Sequence, residues 1–148
     1  MLVQRGMAEL DGDKVIGIGG LSLRRTQHRM NLDGKALFTW CAADAVGIPA
    51  ALGEDTDVIT TCPHCSIAIV LRAGEPAPKA DVVLSLPTSS CSHVVTQFCP
   101  EVNFFCNGSH LEAWRADRAE EPGQRLTIDK VAELGREWWG YLTSTEPR

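Results

Sequence analysis

Residues 28–49 read HRMNLDGKALFTWCAADAVGIP, and the fold class turns on how this stretch divides. His28 to Leu32 reads as a strand partner for the stretch before it, closed by the Asp33–Gly34 turn signal. From Lys35 the spacing predicts a helix with Leu37, Cys41 and Ala45 on one face, closing near Pro49, which lacks the N–H that would extend the ladder. Toward the N-terminus, Val15 to Arg24 predicts another strand, rich in glycine at Gly17, Gly19 and Gly20. Those glycines are not a dinucleotide loop, because the Gly-x-Gly-x-x-Gly spacing fails and no helix follows.

Toward the C-terminus, Asp57 to Thr61, Ser66 to Arg72 and Asp81 to Leu86 predict three more strands. Ser92 to Phe98 alternates at Val94, Thr96 and Phe98 and predicts a further one, with Val102 to Cys106 continuing it after Pro100. Ser109, followed three residues later by Glu112, has the form of a capping box opening a helix. The polar run Ala116 to Arg125 reads as a surface loop. A last helix, Ile128 to Leu142, presents Ile128, Val131, Leu134, Trp138 and Leu142 at helical spacing, the pattern of a core-facing stripe. The expectation is an α+β fold, a mixed or antiparallel sheet core with flanking helices, in one domain spanning 1–148.

Composition narrows the functional classes. The 148 residues are 44% hydrophobic and 22% charged, with a formal net charge of −5. No basic cluster exceeds Arg24–Arg25, so the surface has no stripe to neutralise phosphates, and nucleic acid is not an expected partner. Met1 to Lys14 lacks the apolar core of a secretory signal, and no run approaches the roughly 20 apolar residues of a membrane span, so no membrane association is expected. The expected location is the cytoplasm.

Six cysteines are many for such a chain: Cys41, Cys62, Cys65, Cys91, Cys99 and Cys106. In a reducing compartment disulfides are rarely structural, and metal binding or thiol chemistry becomes the better reading. Cys41 and Asp44 stand at i and i+3, a spacing that puts both on one face of a helix. A carboxylate beside a thiol does not favour the thiolate by its charge. It can accept the thiol proton and hold it for later delivery, which suits a reaction that first releases a proton and then consumes one.

Cys62-Pro63-His64-Cys65 is the competing motif, half of a zinc site by its spacing. The other half would have to come from Cys91 with His93, or from Cys91 with Cys99, and no second Cys-x-x-Cys exists. Structural zinc at Cys62 and Cys65 is therefore the less favoured reading, and the expectation is a protein without stoichiometric zinc. His64 and His93 read as polar surface residues, His28 and His110 have no evident partner, and Cys106 reads as a buried or accessory thiol. Trp40, Trp114, Trp138 and Trp139 read as mainly core, with Trp40 a candidate wall of a pocket at Cys41.

The run Leu37-Phe38-Thr39-Trp40-Cys41-Ala42-Ala43-Asp44, followed by Ile48-Pro49-Ala50, resembles the active-site helix of the organomercurial (alkylmercury) lyases. Phe98-Cys99-Pro100-Glu101-Val102-Asn103-Phe104-Phe105 resembles the second cysteine segment of that family, and Thr61-Cys62 sits where the family often carries a cysteine outside its catalytic set. The strand at Val15 to Arg24, the Glu112-Ala113-Trp114 helix and the last helix follow the family order, so the resemblance covers most of the chain from Asp11 onward. It implies a catalytic set of Cys41, Asp44 and Cys99, with no cofactor beyond the mercury handled as substrate and product. Members usually carry a further helical region before this core, whereas the present chain begins almost at the core.

The chemistry implied is protonolysis of a carbon–mercury bond to a hydrocarbon and Hg(II), held by Cys41 and Cys99 until low-molecular-weight thiols, or a mercuric reductase, remove it. Mercury is soft, and thiolate is the softest ligand a protein offers. Two other classes compete with a lyase: a carrier of Hg(II) or Cu(I) using the same cysteines, and a zinc-stabilised interaction domain built on Cys62 and Cys65. Asp44 separates the first two, because a carrier gains nothing from a proton donor there.

Overall fold

The computed structural model describes residues 3–4, 6–73, 81–88, 91–118 and 123–143. Ten strands form two antiparallel sheets among the described residues. The larger contains β1 (Ala8–Asp11), β2 (Lys14–Ile18), β3 (Leu21–Ser22), β4 (His28–Leu32), β5 (Lys35–Thr39), β6 (Thr56–Thr61) and β7 (Ala68–Ala73), in the order β1-β2-β3-β5-β4-β6-β7. The smaller has β8 (Val83–Leu86) between β10 (Gln124–Thr127) and β9 (Asn103–Phe105). Among the described residues three α-helices, α1 (Ala42–Leu52), α2 (Gly108–Ala116) and α3 (Ile128–Trp139), complete the expected α+β architecture.

Turn chemistry overrules two expectations near the N-terminus. Gly19 and Gly20 both have positive φ, 59° and 102°, so the supposed single strand at Val15 to Arg24 folds into the β2–β3 hairpin, with Ile18 opposite Leu21. Asp33 and Gly34 also have positive φ, 49° and 74°, and return the chain so that Lys35–Thr39 pairs residue by residue with His28–Leu32. Lys35 to Thr39 is therefore strand, and the helix begins only after Cys41. The spacing of Leu37, Cys41 and Ala45 matched a helix by coincidence, because it spans a strand end and a helix start.

Pro49 lies inside α1 instead of ending it. The helix closes at Gly53 (φ 69°), where the N–H groups of Gly53 and Glu54 donate to the carbonyls of Ala50 and Pro49, the reciprocal pattern of a Schellman cap. Every residue from Ala42 to Ala50 is buried, so α1 is covered on all sides: by β4 to β7, by β9 and by α3. Small side chains allow this. Gly47 of α1 meets Gly135 of α3 so closely that a Cβ on Gly135 would lie 2.2 Å from the Gly47 Cα.

Ser92 to Phe98 is not a strand: Val94–Phe98 makes one π-helical turn, followed by a 3-10 turn at Cys99–Glu101. Side chains redirect the backbone here. Gln97 Oε1 accepts from the N–H groups of Ser92 and His93, and His93 Nδ1 accepts from the N–H of Thr96. Strand resumes only at Asn103–Phe105. Helix α2 is capped by Asn107, not Ser109, through Oδ1 accepting from the His110 N–H at 2.9 Å. The apolar stripe of α3 runs through Ile128, Val131, Ala132 and Gly135, with Trp138 42% exposed and Trp139 half-buried. His28 is a core residue: its Nδ1 lies 2.7 Å from Thr60 Oγ1, and burial pushes its pKa down to about 4.

Candidate active site

Cys41 sits at the junction where β5 becomes α1, as the N-cap residue, with extended backbone angles. Asp44 is the third residue of the helix, and its Oδ2 accepts both the Cys41 N–H at 3.1 Å and the Cys41 thiol at 3.2 Å. This is a capping box built from cysteine and aspartate in place of the usual hydroxyl and glutamate. The i,i+3 relation read from the sequence is thus real, although its origin is the helix cap and not the middle of a helix.

Cys99 arrives from a distant part of the chain. It begins the 3-10 turn, its carbonyl accepts the Val102 N–H, and the Val102 carbonyl in turn accepts the Ala42 N–H at 3.2 Å. That last bond ties the Cys99 segment to the residue next to Cys41. The ligand atoms of Cys41, Asp44 and Cys99 all lie within 4.8 Å of one another, and all three residues are buried.

Burial sets the proton inventory. It raises the Cys41 thiol well above its ordinary value, helped by a hydrogen bond with Cys99 and by the nearby Asp44 charge. Burial also raises Asp44 to about 7, even though its hydrogen bonds from Cys41 pull the other way. At neutral pH Cys41 therefore carries its proton, and Asp44 is the group poised to exchange one.

The triad opens into a cavity of about 530 Å³ whose walls include Met7, Trp40, Phe98, Trp138, Trp139 and Tyr141. Trp40 is a wall residue, as its position beside Cys41 suggested, and its indole N–H donates to Glu9 Oε2 at 2.9 Å. Trp139 donates its indole N–H to the Gly19 carbonyl at 3.1 Å, fastening α3 to the β2–β3 turn. Sequence reasoning missed Trp139, Tyr141 and exposed Cys91 as wall residues. They come from two distant parts of the chain, Cys91 from one and Trp139 with Tyr141 from the end of α3 and the turn after it, and only the fold brings them together.

Gly20 matters for a different reason. A Cβ there would lie 2.8 Å from both Cγ and Oδ1 of Asp44, on a backbone with φ of 102°. Gly20→Ala is expected to cost about 1–3 kcal/mol from the strained φ and to displace the Asp44 carboxylate. Thermal unfolding would report it, and a wild-type unfolding temperature would show that the hairpin yields freely.

A second cluster among the described residues contains no member of this triad. Cys62, Cys65, Cys106 and His110 have ligand atoms within 4.8 Å of one another. The partners suggested by sequence for Cys62 and Cys65 are elsewhere: Cys99 in the triad, Cys91 in the cavity wall, and His93 capping the π turn.

A family model described as alkylmercury lyase matches residues 21–140. The chain belongs to the alkylmercury lyase family. It is 33% identical over 130 residues to an alkylmercury lyase of Bacillus cereus, covering 83% of this chain and 57% of that protein. It is 35% identical over 127 residues to one from Pseudomonas putida, covering 82% and 58%. The chain thus spans a little over half the length of the curated alkylmercury lyases it matches. A solved structure described as the mercury-bound form of MerB2 superposes with a TM-score of 0.84 over 97% of this chain and 72% of that one, at 23% identity, which establishes the shared fold. Among the described residues no helix is long and apolar enough to cross a membrane.

Proposed function

We propose that this chain cleaves the carbon–mercury bond of organomercurials by protonolysis, using Cys41 and Cys99 as mercury ligands and Asp44 as proton carrier. The observation that carries this reading is the Cys41 thiol donating to a buried Asp44 carboxylate, with the Cys99 sulfur in the same cluster. The name shared by the relatives points the same way.

The steps balance without an external oxidant or reductant. An organomercurial arrives as R–Hg–SR′, its ordinary form among small thiols. One site cysteine displaces R′S⁻, which leaves as R′SH with the cysteine proton. The second cysteine then adds to mercury, and the proton released within the triad passes to Asp44, whose carboxylate already accepts the Cys41 S–H. Two sulfurs push electron density onto mercury and through it onto carbon. Asp44 protonates that carbon, the C–Hg bond breaks, R–H leaves, and Hg(II) remains as a bis-thiolate. Two further small thiols return the cysteines to their protonated state and carry mercury away, to mercuric reductase where that enzyme is the acceptor. Dependence on reduced thiols places the reaction in a reducing compartment, the cytoplasm.

Asp44 at about 7 is matched to this double duty, since a group titrating near the working pH accepts and returns a proton with comparable ease. The aromatic and aliphatic walls suit a small hydrocarbon substituent and limit competing water. The test is incubation with phenylmercury and excess small thiol, measuring benzene. Benzene released over repeated turnovers is the expected result. One mercury retained per chain with no benzene would replace the lyase by a soft-metal carrier.

A further inference from the structure

We infer that Cys62, Cys65, Cys106 and His110 form a structural zinc site, a Cys₃His centre that ties the two sheets and α2 together. None of these residues belongs to the mercury-handling triad, and the inference does not depend on the proposed lyase activity.

The ligands come from three places. Cys62 and Cys65 flank the turn after β6, Cys106 directly follows β9, and His110 lies in the first turn of α2. In sequence this is Cys-x₂-Cys followed much later by Cys-x₃-His. The second half escapes a search for paired Cys-x-x-Cys motifs because it bridges a strand end and a helix start. The spacing nevertheless lets a cysteine before a helix cap and a histidine just after it face the same point.

The distances suit the metal. A tetrahedral centre with Zn–S of ~2.3 Å and Zn–N of ~2.0–2.1 Å separates its ligand atoms by roughly 3.4–3.8 Å. Here Cys65 Sγ lies 3.7 Å from Cys106 Sγ, and Cys62 Sγ lies 3.7 Å from His110 Nδ1. All four atoms fall within 4.8 Å, so side-chain rotation suffices to close the remainder. The sulfurs are free thiols, not a disulfide.

The surroundings support thiolate and orient the ligands. Backbone N–H groups of Cys106, Cys65 and His64 are directed at the Cys62 sulfur. Donors of this kind stabilise a metal-bound thiolate, and they follow from the shape of the turn. Within it Ser66 adopts φ of 61°, its N–H donates to the Cys62 carbonyl at 2.8 Å, and the Cys62 N–H donates to the Ile67 carbonyl at 3.0 Å. On the other side, Asn107 holds the His110 N–H, and the exposed His64 ring leans on the His110 ring at 4.8 Å. Four protein ligands leave no open position, the mark of a structural rather than a catalytic zinc.

Cys62 is buried in the core, and Cys65 and Cys106 pack half-buried against it where the β6–β7 turn meets β9 and α2. A metal there would add four strong bonds at the edge of that core. It would also anchor Cys106, at the far end of the strand that follows the Cys99 turn.

The test begins with protein that has never met mercury, grown with zinc and analysed for metals. About one zinc per chain is expected. Cys41→Ser combined with Cys99→Ser should keep that zinc, whereas Cys65→Ser combined with Cys106→Ser should lose it. Since loss of the metal can unfold the chain, a second measurement uses the unaltered sequence with Co(II) replacing zinc. Tetrahedral cobalt with strong thiolate-to-cobalt charge transfer is expected. Absence of both bound zinc and zinc uptake on titration overturns the inference. So does an octahedral, thiolate-free cobalt spectrum, zinc surviving loss of Cys65 and Cys106, or zinc lost with Cys41 and Cys99.

Discussion

Cys41→Ser and Cys99→Ser are each expected to reduce hydrocarbon release to the rate of small thiols alone, with the fold preserved. The physical reason is coordination number. A single thiolate holds R–Hg in a linear, two-coordinate state whose carbon is only weakly basic, and the second sulfur supplies the electron density that makes carbon protonatable. A serine hydroxyl keeps nearly the same size but is a hard, weak donor toward mercury. Folding should survive at both positions. Residue 41 is a helix N-cap, where serine is a better cap than cysteine. At position 99 a new hydroxyl has Cys41 and Asp44 within reach as partners.

The two variants should still capture one equivalent of R–Hg through the remaining sulfur, and excess thiol should strip it far more readily than it strips Hg(II) from the wild type. The measurement pairs hydrocarbon release with mercury retained after desalting. Wild-type release by either folded variant would remove that cysteine from the reaction.

How much of this site was legible in the sequence depends on how local each part is. Cys41 and Asp44 are joined by one helix cap, so their spacing alone implied contact, even though the helix was expected to start too early. The misplacement has a specific cause: Leu37, Cys41 and Ala45 satisfy a helical period across a boundary, while the Asp33–Gly34 turn, with both φ values positive, dictates a hairpin. Cys99 had no local signal and entered only through family resemblance. Its partnership with Cys41 depends on the backbone bond from Ala42 to Val102, which no spacing encodes.

Other features were hidden for the same reason. The glycine pair at 19–20 was seen as composition within a strand. Its role is a turn whose second residue leaves room for the Asp44 carboxylate. The contact of Gly47 with Gly135 brings α3 against α1, and Trp139 with it into the cavity wall. Cys106 and His110 illustrate the opposite case. They stand only four residues apart, but Cys62 and Cys65, which share their cluster, are distant in sequence, and a histidine in a first helical turn carries no mark of what it faces.

Asp44→Asn is expected to separate mercury capture from bond cleavage, and to make the protein more stable while it does so. Asparagine keeps the shape, and its carbonyl oxygen can still accept the Cys41 N–H, so the helix cap persists. It cannot receive and return a proton. A positioned acid–base group contributes about 10²–10⁴-fold, and single-turnover hydrocarbon release should fall by that order while R–Hg binding through Cys41 and Cys99 is retained. The stability change follows from the same pKa. In the unfolded chain Asp44 ionises near its ordinary value of 3.8, whereas in the folded protein burial holds it protonated up to about 7. As pH rises between those values the unfolded state loses its proton first, so the folded state is progressively disfavoured, and above pH 7 the penalty is constant. Three pH units correspond to roughly 4 kcal/mol, or on the order of 10 °C in unfolding temperature for a chain of this size. Asparagine does not titrate, so the variant should unfold at higher temperature than the wild type at pH 8, with the margin shrinking toward pH 4. Melting curves across that range, paired with release kinetics, check both halves. A margin that does not change with pH would mean that burial does not raise Asp44 in the folded protein, and wild-type release by the variant would place the proton elsewhere.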